Sequence, residues 1–194
     1  MSGTPTSNHA HRDVVLETAR LILADNGVKG LTIEGVSART GVAKTTIYRR
    51  FRSKQELALA VVRQMTAEVV AVEQHGNSRA RLVAVLERAV TLLRTTVMGK
   101  VMKGLVSDIA TDPELGAAYH REVISLRVTT VHDIVQDGVA SGELKPETDA
   151  GILHELLFGA VYYRLLLNGG ELESAMADRI VDAILPAFLI HPSH

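Results

Sequence analysis

Five positions between residues 36 and 47 restrict the fold of this chain more than any other feature. Two short helices that cross steeply through a tight turn need a small residue at the crossing and a turn residue that tolerates positive φ. Ser37 meets the first demand, and Gly41, four positions later, meets the second. Aliphatic residues stand where the inner faces of the two helices fall, at Val36, Val42 and Ile47. The pattern predicts a helix-turn-helix.

The outer face of the second helix supplies candidate DNA contacts, because this motif places that helix in the major groove. Lys and Arg bind phosphates or the edge of guanine, and Thr offers a hydroxyl and a methyl group. The outward candidates are Lys44, Thr45, Thr46, Tyr48 and Arg49. Lys54 begins the next helix, where a cation and free amides can hold a phosphate. Alternatively, Tyr48 packs against the first helix, and Arg50 and Arg52 are ordinary solvated side chains.

The charge distribution agrees with a polyanionic partner for the N-terminal part. Residues 1–55 contain nine Lys or Arg and four acidic residues, a net charge of +5. The rest of the chain contains twelve Lys or Arg and eighteen acidic residues, a net charge of −6. A basic lobe on an acidic body indicates that the first quarter meets a polyanion. Charge also varies along chains without functional meaning, so the asymmetry is only supporting evidence.

Helical spacing of apolar residues is the one regular pattern along the chain, and it predicts an all-α fold of about nine helices. Gly27 should stop the first helix, Thr32 should cap the second, and Ser53 to Glu56 form a capping box for the fourth. Later helices are expected over 79–96, 98–110, 112–137, 149–168 and 173–189, the third opened by Asp112-Pro113-Glu114. The predicted divisions are a disordered arm (1–8), a three-helix helix-turn-helix domain (9–56) and a helical domain (57–194), with the border inside the fourth helix.

Several function classes find no support in the sequence. Cysteine is absent, which excludes disulfides and thiol chemistry. There is no Gly-x-Ser-x-Gly elbow, phosphate-binding glycine loop or His-Glu-x-x-His motif, so an enzyme is not expected. His120, His132 and His154 lack ligand spacing, and neither a metal nor another cofactor is expected. The sequence has no window of about 18 uncharged apolar residues, so we expect no membrane span. We expect the protein to be cytoplasmic and to have no membrane partner.

The segment from Gly41 to Leu57 resembles the DNA-binding signature of the TetR repressor family. In that family a Gly-Val turn leads to a recognition helix ending in Tyr-x-x-Phe, followed by Ser/Asn-Lys-x-x-Leu. The resemblance extends back to Gly30-Leu31-Thr32 and covers roughly residues 12–58. It implies DNA contacts by Thr32, Lys44, Thr46, Tyr48 and Lys54. Two positions depart from the family: Ala43 stands where Ser is frequent and Arg50 where Tyr or His is common, so the operator is harder to predict.

The C-terminal half is similar to one TetR subgroup through Asp112-Pro113-Glu114-Leu115, Gly142-Glu143-Leu144 and the run from Gly159 to Leu166. This resemblance implies that the last two helices form a four-helix dimer interface. The helix predicted over 149–168 is apolar on more than one face, so one face can serve the core and another a partner. The candidate interface residues are Ile152, Leu156, Tyr163, Ile180, Ile184 and Phe188. A fully internal helix pair is the alternative.

The same resemblance implies an effector cavity among the helices between residues 98 and 163. Its candidate lining is Met98, Met102, Leu105, Tyr119, Val123, Leu126, His132, His154, Phe158 and Tyr162. Apolar lining with a few polar groups suits a small hydrophobic or amphipathic ligand, although each of these residues could be ordinary core. The sequence is thus interpreted as a homodimeric repressor that binds double-stranded, pseudo-palindromic operator DNA and is released by an unknown effector. An activator, a ligand-independent regulator and a sequence-blind architectural DNA binder remain as alternatives.

Overall fold

The computed structural model describes the backbone of residues 5–70 and 75–190, and the side chains of residues 11–67 and 75–190. Over these ranges ten α-helical segments follow one another: α1 Pro5–Gly30, α2 Ile33–Thr40, α3 Lys44–Tyr48, α4 Lys54–Val70, α5 Ser78–Thr95, α6 Met98–Thr111, α7 Pro113–Tyr119, α8 Ser125–Ala140, α9 Ala150–Tyr163 and α10 Met176–Ile184. A π-helical turn, His120–Ile124, joins α7 to α8, so the continuous helix predicted from residue 112 is present. The described ranges contain no strand, only an isolated bridge between Leu144 and Leu189.

The predicted helix ends differ from the structure in two places. The helix α1 begins at Pro5, so residues 5–8 of the expected arm are helical, while residues 1–4 lie outside the described residues. Proline in the first turn is pre-organised for a helix, which accounts for the earlier start. The last helix begins at Met176 rather than near residue 173 and ends in a 3-10 turn, Leu185–Ala187, that contains the proline.

Gly27 interrupts α1, as predicted. Its backbone has φ 63° and ψ −170°, a conformation outside the helical region that a residue with a side chain rarely adopts. Before the interruption, the apolar stripe of Val15, Ala19, Ile22 and Leu23 is buried. In α4 the predicted stripe is likewise buried at Leu57, Val61 and Met65, whereas the side chains of Val69 and Val72 lie outside the described residues.

The chain divides into two compact units. The first unit consists of Met1–Met65 and Thr96–Tyr119, and the second of Thr66–Thr95 and His120–His194. The division falls inside α4, nine residues after the predicted border, and α6 and α7 belong with the N-terminal helices. The sequence pattern gave each helix an apolar face without indicating which distant helix that face would meet.

Within the first unit, α6 packs closely against α1. The Lys100 ammonium donates to the Ala24 carbonyl at 3.1 Å. Gly104 faces Val28 so closely that a Cβ at this position would lie 2.8 Å from Val28 Cγ2. Because glycine has no side chain, the two helix backbones can approach here.

Within the second unit, the loop between α8 and α9 is bonded to the C-terminal segment and to α5. The Lys145 amide donates to the Phe188 carbonyl at 2.9 Å, and the Ile190 amide donates to the Glu143 carbonyl at 3.1 Å. The Glu143 carboxylate also accepts from the Ser78 amide at 2.7 Å, and this bond lowers the pKa of Glu143. This loop therefore fixes the start of α5 and residues 188–190 together.

One described helix, Ala150–Asn168, is long and apolar enough to cross a membrane by length and composition alone. It comprises α9 and the π-helical turn Arg164–Asn168. Helices that cover the core of a folded unit pass the same test, and this one includes Glu155 and Arg164. Only 33% of the apolar window is buried, so a single chain leaves most of this helix without cover.

Candidate nucleic-acid interface

The turn between α2 and α3 is built by the side chains that the sequence singled out. Thr32 caps α2, because its hydroxyl accepts from the Gly35 amide at 3.0 Å. Gly41 ends α2 with φ 70°, and its amide donates to the Ser37 carbonyl at 2.9 Å. Only glycine adopts this left-handed conformation without strain.

Ser37 has a second role that the sequence did not reveal. Its hydroxyl donates to the Val42 carbonyl at 2.8 Å and so bonds α2 directly to the start of α3. The Thr40 hydroxyl donates to the Val36 carbonyl and accepts from the Val42 amide. Val36, Val42 and Ile47 are buried beneath these bonds. The turn therefore holds α3 at a fixed angle by both polar bonds and packing.

The helix α3 presents polar groups on the side opposite Ile47. Lys44, Thr45, Tyr48 and Arg49 are exposed, and Thr46 is half-buried. Tyr48 is 46% exposed, which excludes the alternative that its ring is buried against the first helix. A row of lysine, threonine, tyrosine and arginine can bind phosphates and read base edges in the major groove.

Glu34, on α2, holds two of these side chains in the free protein. The Tyr48 hydroxyl donates to a Glu34 carboxylate oxygen at 3.4 Å, and the Lys44 ammonium lies 4.0 Å from the same oxygen. Both contacts are exposed and weak. A phosphate could therefore replace Glu34 as the partner of Lys44 at little cost. No sequence signal predicts this role, because it depends on how α2 and α3 cross.

The starts of α3 and α4 differ in how they are capped. Ala43 precedes α3 and has no side-chain acceptor, so the departure from the family removes that cap. At α4 the Glu56 amide donates to the Ser53 hydroxyl at 3.1 Å, as the capping box requires. The Glu56 carboxylate accepts from the Arg52 amide at 2.7 Å. A capping box would place this bond on the amide of Ser53, one residue later. Lys54 is half-buried at the first position of this helix.

The guanidinium of Arg52 has acidic neighbours within the first unit. It donates to Glu114 at 3.3 Å and lies 4.0 Å from Glu56, with its side chain 79% exposed. Arg50 is also exposed. Arg52 is thus a solvated side chain in a weak ion pair, as the alternative for these two arginines supposed.

A basic cleft of about 250 Å³ lies between the N-terminal part of α1 and α3. His11, Arg12, Arg49 and Arg50 line it, around an apolar floor that includes Phe51. Grouped cations attract anions and raise the local potential. Sequence reasoning missed His11 and Arg12 because they precede the first residue of α3 by 33 and 32 residues along the chain.

The ten candidate effector residues divide between the two units. Those in the first unit are Met98, Met102 and Leu105, which are buried, and Tyr119, which is half-buried. Those in the second unit are Val123, His154 and Phe158, which are buried, Leu126 and Tyr162, which are half-buried, and His132, which is exposed. His132 is therefore corrected to a surface residue. The buried face of α8 runs through Val131, Ile134 and Val135, and a helix turns residue 132 about 100° away from residue 131.

Arg127 is a buried polar residue that the sequence did not single out. It is only 4% exposed, and its guanidinium donates to the Tyr162 hydroxyl at 2.7 Å. The guanidinium carbon lies 5.2 Å from the ring centre of Phe158 and 5.5 Å from that of Tyr162. The imidazole of His154 stacks on the ring of Phe158, with 4.6 Å between the two ring centroids. These four side chains, Arg127, His154, Phe158 and Tyr162, form the α8–α9 cluster.

The candidate dimer residues lie on the outer side of α9 and α10. Ile152, Leu156 and Tyr163 are between 46% and 60% exposed, and Leu167, in the π-helical turn, is 77% exposed. Ile180, Ile184 and Phe188 are half-buried. A groove of about 550 Å³ runs between α9 and α10, lined by Gly159, Ala160, Tyr163, Arg164, Asn168, Met176, Arg179, Ile180, Ala183 and Ile184. The second unit thus exposes an apolar strip, with Arg164, Asn168 and Arg179 along its groove.

Among the described residues, no three His, Cys, Asp or Glu side chains are grouped closely enough to hold a metal ion. His132 has Asp133 as its acidic neighbour, at 3.8 Å on the exposed surface.

Comparison with known proteins gives two family matches. The model for bacterial regulatory proteins of the tetR family matches residues 15–61, and the Tetracyclin repressor-like C-terminal domain matches residues 72–184. A DNA-binding transcriptional repressor, TetR, of Mycobacteroides abscessus is 28% identical over 182 residues, which cover 92% of this chain and 93% of the relative.

Solved structures share the fold. The TetR family transcription regulator SCO0332 has a TM-score of 0.80 and 28% identity, covering 94% of this chain and 99% of its own. The transcriptional regulator FadR from Bacillus subtilis, in complex with stearoyl-CoA, has a TM-score of 0.71 and 18% identity, covering 92% and 99%. At that identity the second likeness concerns the fold alone.

Proposed function

The chain belongs to the TetR family of DNA-binding transcriptional regulators, and from that premise we propose that it is a homodimeric, cytoplasmic repressor released from its operator by a small amphipathic molecule. The observation that carries the proposal is the geometry of α3. Its buried Ile47 and the Ser37 bond fix the helix, while Lys44 and Tyr48 stand on the outer side. A rigid helix with this outer face suits the major groove.

The DNA contacts fall into two kinds in this proposal. On and just after α3, bases are read or nearby phosphates held by Lys44, Thr45, Thr46, Tyr48 and Arg49. The DNA backbone is held by Thr32, which caps α2, and by Lys54, the first residue of α4. Free amides at a helix start favour a phosphate, and Lys54 adds a positive charge there. Arg12 and His11, across the basic cleft from Arg49, would extend the backbone contact.

Dimerisation is supported by the uncovered apolar strip of the second unit. Isolated exposed apolar residues are ordinary, but a contiguous apolar strip marks an interface. Ile152, Leu156 and Tyr163 lie along one side of α9, and the groove beside them is edged by Ile180 and Ile184 of α10. Two copies of this helix pair would bury the strip as a four-helix interface. A pair of recognition helices about 34 Å apart would then match a pseudo-palindromic operator.

Repression with release by an effector is supported by the relatives. One relative is named a repressor, and one structural neighbour holds stearoyl-CoA, an amphipathic ligand. An effector shifts the regulator only by its different affinity for the DNA-binding and non-binding states. The helix α4 contributes to both units, because the division falls between Met65 and Thr66. We propose that this helix transmits the effect of effector binding to the DNA-binding helices. No catalytic turnover is expected, since the relatives act in transcription.

The test uses an operator selected from random DNA by the purified protein. Fluorescence anisotropy at fixed salt should show at least about a thousandfold preference for the operator over scrambled DNA. Tyr48→Ala and Lys44→Ala should weaken operator binding by about 5-fold to 100-fold. Lys103→Ala, which removes an exposed cation from α6, is the matched control and should bind as the wild type does.

Other outcomes select other functions. Equal, weak binding to both DNAs would replace operator reading by architectural binding or by a function without DNA. A reporter gene under the selected operator separates the remaining classes: expression that rises when the regulator is deleted indicates a repressor, and expression that falls indicates an activator.

A further inference from the structure

Two buried polar side chains of the α8–α9 cluster are not used by the proposed DNA and dimer interfaces. Arg127 and His154 are each 4% exposed, and they come from different helices of the second unit. Arginine and histidine are rarely placed so deep unless their polar atoms are bound. Their position near Phe158 and Tyr162 combines polar donors with aromatic surface, which is the composition of a small-molecule site.

The cluster carries a fixed positive charge. The Arg127 guanidinium is oriented by its 2.7 Å bond to the Tyr162 hydroxyl and by the rings of Phe158 and Tyr162, 5.2 and 5.5 Å away. Ring faces attract a cation without neutralising it. The charge acts on its neighbourhood: burial, with a further contribution from Arg127, lowers the pKa of His154 to about 4. The imidazole is therefore neutral at pH 7, and Arg127 supplies the positive charge among the four side chains.

His154 has an unsatisfied ring nitrogen. Its Nε2 is buried and has no hydrogen-bond partner among the described residues. The ring itself is held by stacking on Phe158, with an angle of 29° between the two planes. A buried nitrogen without a protein partner is uncommon in folded proteins, so this one is available to a bound molecule. A neutral imidazole that carries its proton on Nε2 would donate to an oxygen atom placed beside Arg127.

We propose that Arg127 and His154 bind the carboxylate of an amphipathic acid, with Arg127 neutralising the charge and His154 Nε2 donating a hydrogen bond. The planar guanidinium suits a carboxylate, whose two oxygens can accept parallel bonds. The neighbouring Phe158 ring would contact the apolar body of the ligand. This inference rests on the proposed function, since it names the chemical class of the effector.

The charge of the cluster separates carboxylate from other head groups. A carboxylate brings one negative charge to the one guanidinium of the cluster, which can hold it by charge-assisted hydrogen bonds. A phosphate carrying two negative charges would bury more charge beside the same guanidinium, and an ammonium would repel Arg127. A neutral ester of the same acid would keep the apolar contacts but lose the ionic bond.

The experiment is calorimetric titration of the full chain with the linear carboxylates of 8, 12 and 16 carbons and with their methyl esters. At least one acid should bind at micromolar concentration, and its ester at least tenfold more weakly. In Arg127→Met, which keeps the length of the side chain without its charge, the ratio of acid to ester affinity should fall to about one. His154→Phe, which keeps the stacking, should weaken acid binding severalfold.

His132→Gln is the matched control, because His132 is the exposed histidine of α8. It should bind the acid as the wild type does. Circular dichroism establishes whether each variant is folded; if Arg127→Met is not, Arg127→Lys keeps the charge, loses the planar fork and should still bind the acid more weakly. The affinity ratio is the decisive readout, since a role in folding alone would not change it.

Three results would overturn the inference: no acid binds the wild type, acid and ester bind equally, or the ratio is unchanged in Arg127→Met. The coenzyme A thioesters of the same chains form a further arm. Tight thioester binding that is indifferent to Arg127 would also reject the carboxylate assignment. Operator titration of the same preparation separates this failure from that of the proposed function: a protein that discriminates the operator yet binds no acid refutes the head-group assignment alone.

Discussion

His154 is buried in its neutral form, and this makes the stability of the protein depend on pH. Removal of the imidazole from water and the charge of Arg127 lower its pKa to about 4 from an ordinary value of 6.5. Between these pH values the unfolded chain binds a proton that the folded chain does not. The contribution of His154 to stability is therefore complete above about pH 6.5 and decreases as the pH falls towards 4.

We expect wild type to lose about 2 kcal/mol more than His154→Phe between pH 7.5 and pH 4.5, since one pKa unit corresponds to about 1.36 kcal/mol. Urea denaturation of both proteins at the two pH values measures the difference. Carboxylates with lowered pKa, such as Glu17 and Glu143, also cost stability in acid, but they do so equally in both proteins. The same loss in both would show that His154 is not buried neutral.

At single residues, the sequence predicted what depends on near neighbours. The cap at Thr32 and the left-handed turn at Gly41 involve partners three or four residues away, and both are confirmed. Arg127 was not predicted, because its partner Tyr162 is 35 residues distant and an arginine in a helix usually lies on the surface. His132 was placed on the wrong face of α8, since a helical residue's neighbours depend on the packing of the whole element.

Among the helices, the contact of α6 with α1 depends on one absent side chain. Gly104→Ala would place a Cβ 2.8 Å from Val28 Cγ2 and 3.1 Å from Val28 Cβ. Valine is stiff at its first torsion and cannot turn away cheaply. The substitution should destabilise the protein by about 1–2 kcal/mol, although alanine has the higher helix propensity by about 1 kcal/mol.

Denaturation of the single and double variants checks this expectation. Val28→Ala removes the crowded methyl groups at its own cost but keeps the Cβ, so adding Gly104→Ala to that variant should cost less than it does in the wild type. An equal loss from Gly104→Ala in both backgrounds would mean that the two helices do not meet at Val28.

The helices themselves could largely be predicted, but their pairing could not. Apolar spacing and the Asp112-Pro113 start gave their number and approximate ends. The two π-helical turns, His120–Ile124 and Arg164–Asn168, left no recognisable signal, because a shifted hydrogen bond changes no residue type. The assignment of α6 and α7 to the first unit depends on contacts such as Lys100 with Ala24, which span 76 residues.

For the whole molecule, we expect Leu156→Glu to convert the proposed dimer into a monomer. A glutamate at the centre of the apolar strip would be buried without a partner, at a cost of about 3–5 kcal/mol, which corresponds to at least a hundredfold weaker association. Light scattering after size-exclusion chromatography measures the mass.

Val14→Glu is the control for that experiment, because Val14 on α1 is exposed to the same degree, 48% against 46%, and lies outside the strip. It should remain dimeric. A wild type that is monomeric at micromolar concentration, or a Leu156→Glu variant of full dimer mass, would remove the interface from α9.

The first unit is built from two separate segments of the chain, and this affects how domains can be exchanged between regulators of this kind. Its DNA-reading helices are contiguous along the chain, yet α6, which packs on α1, returns to them only after α5 has been completed. A DNA-binding fragment that ended after α4 would lack α6, the helix that packs on Ala24 and Val28. Hybrids assembled by exchanging contiguous N-terminal fragments would therefore join mismatched surfaces. DNA specificity is better exchanged by substituting only the residues on the outer face of α3. Both chain segments that build the first unit then keep their native contacts.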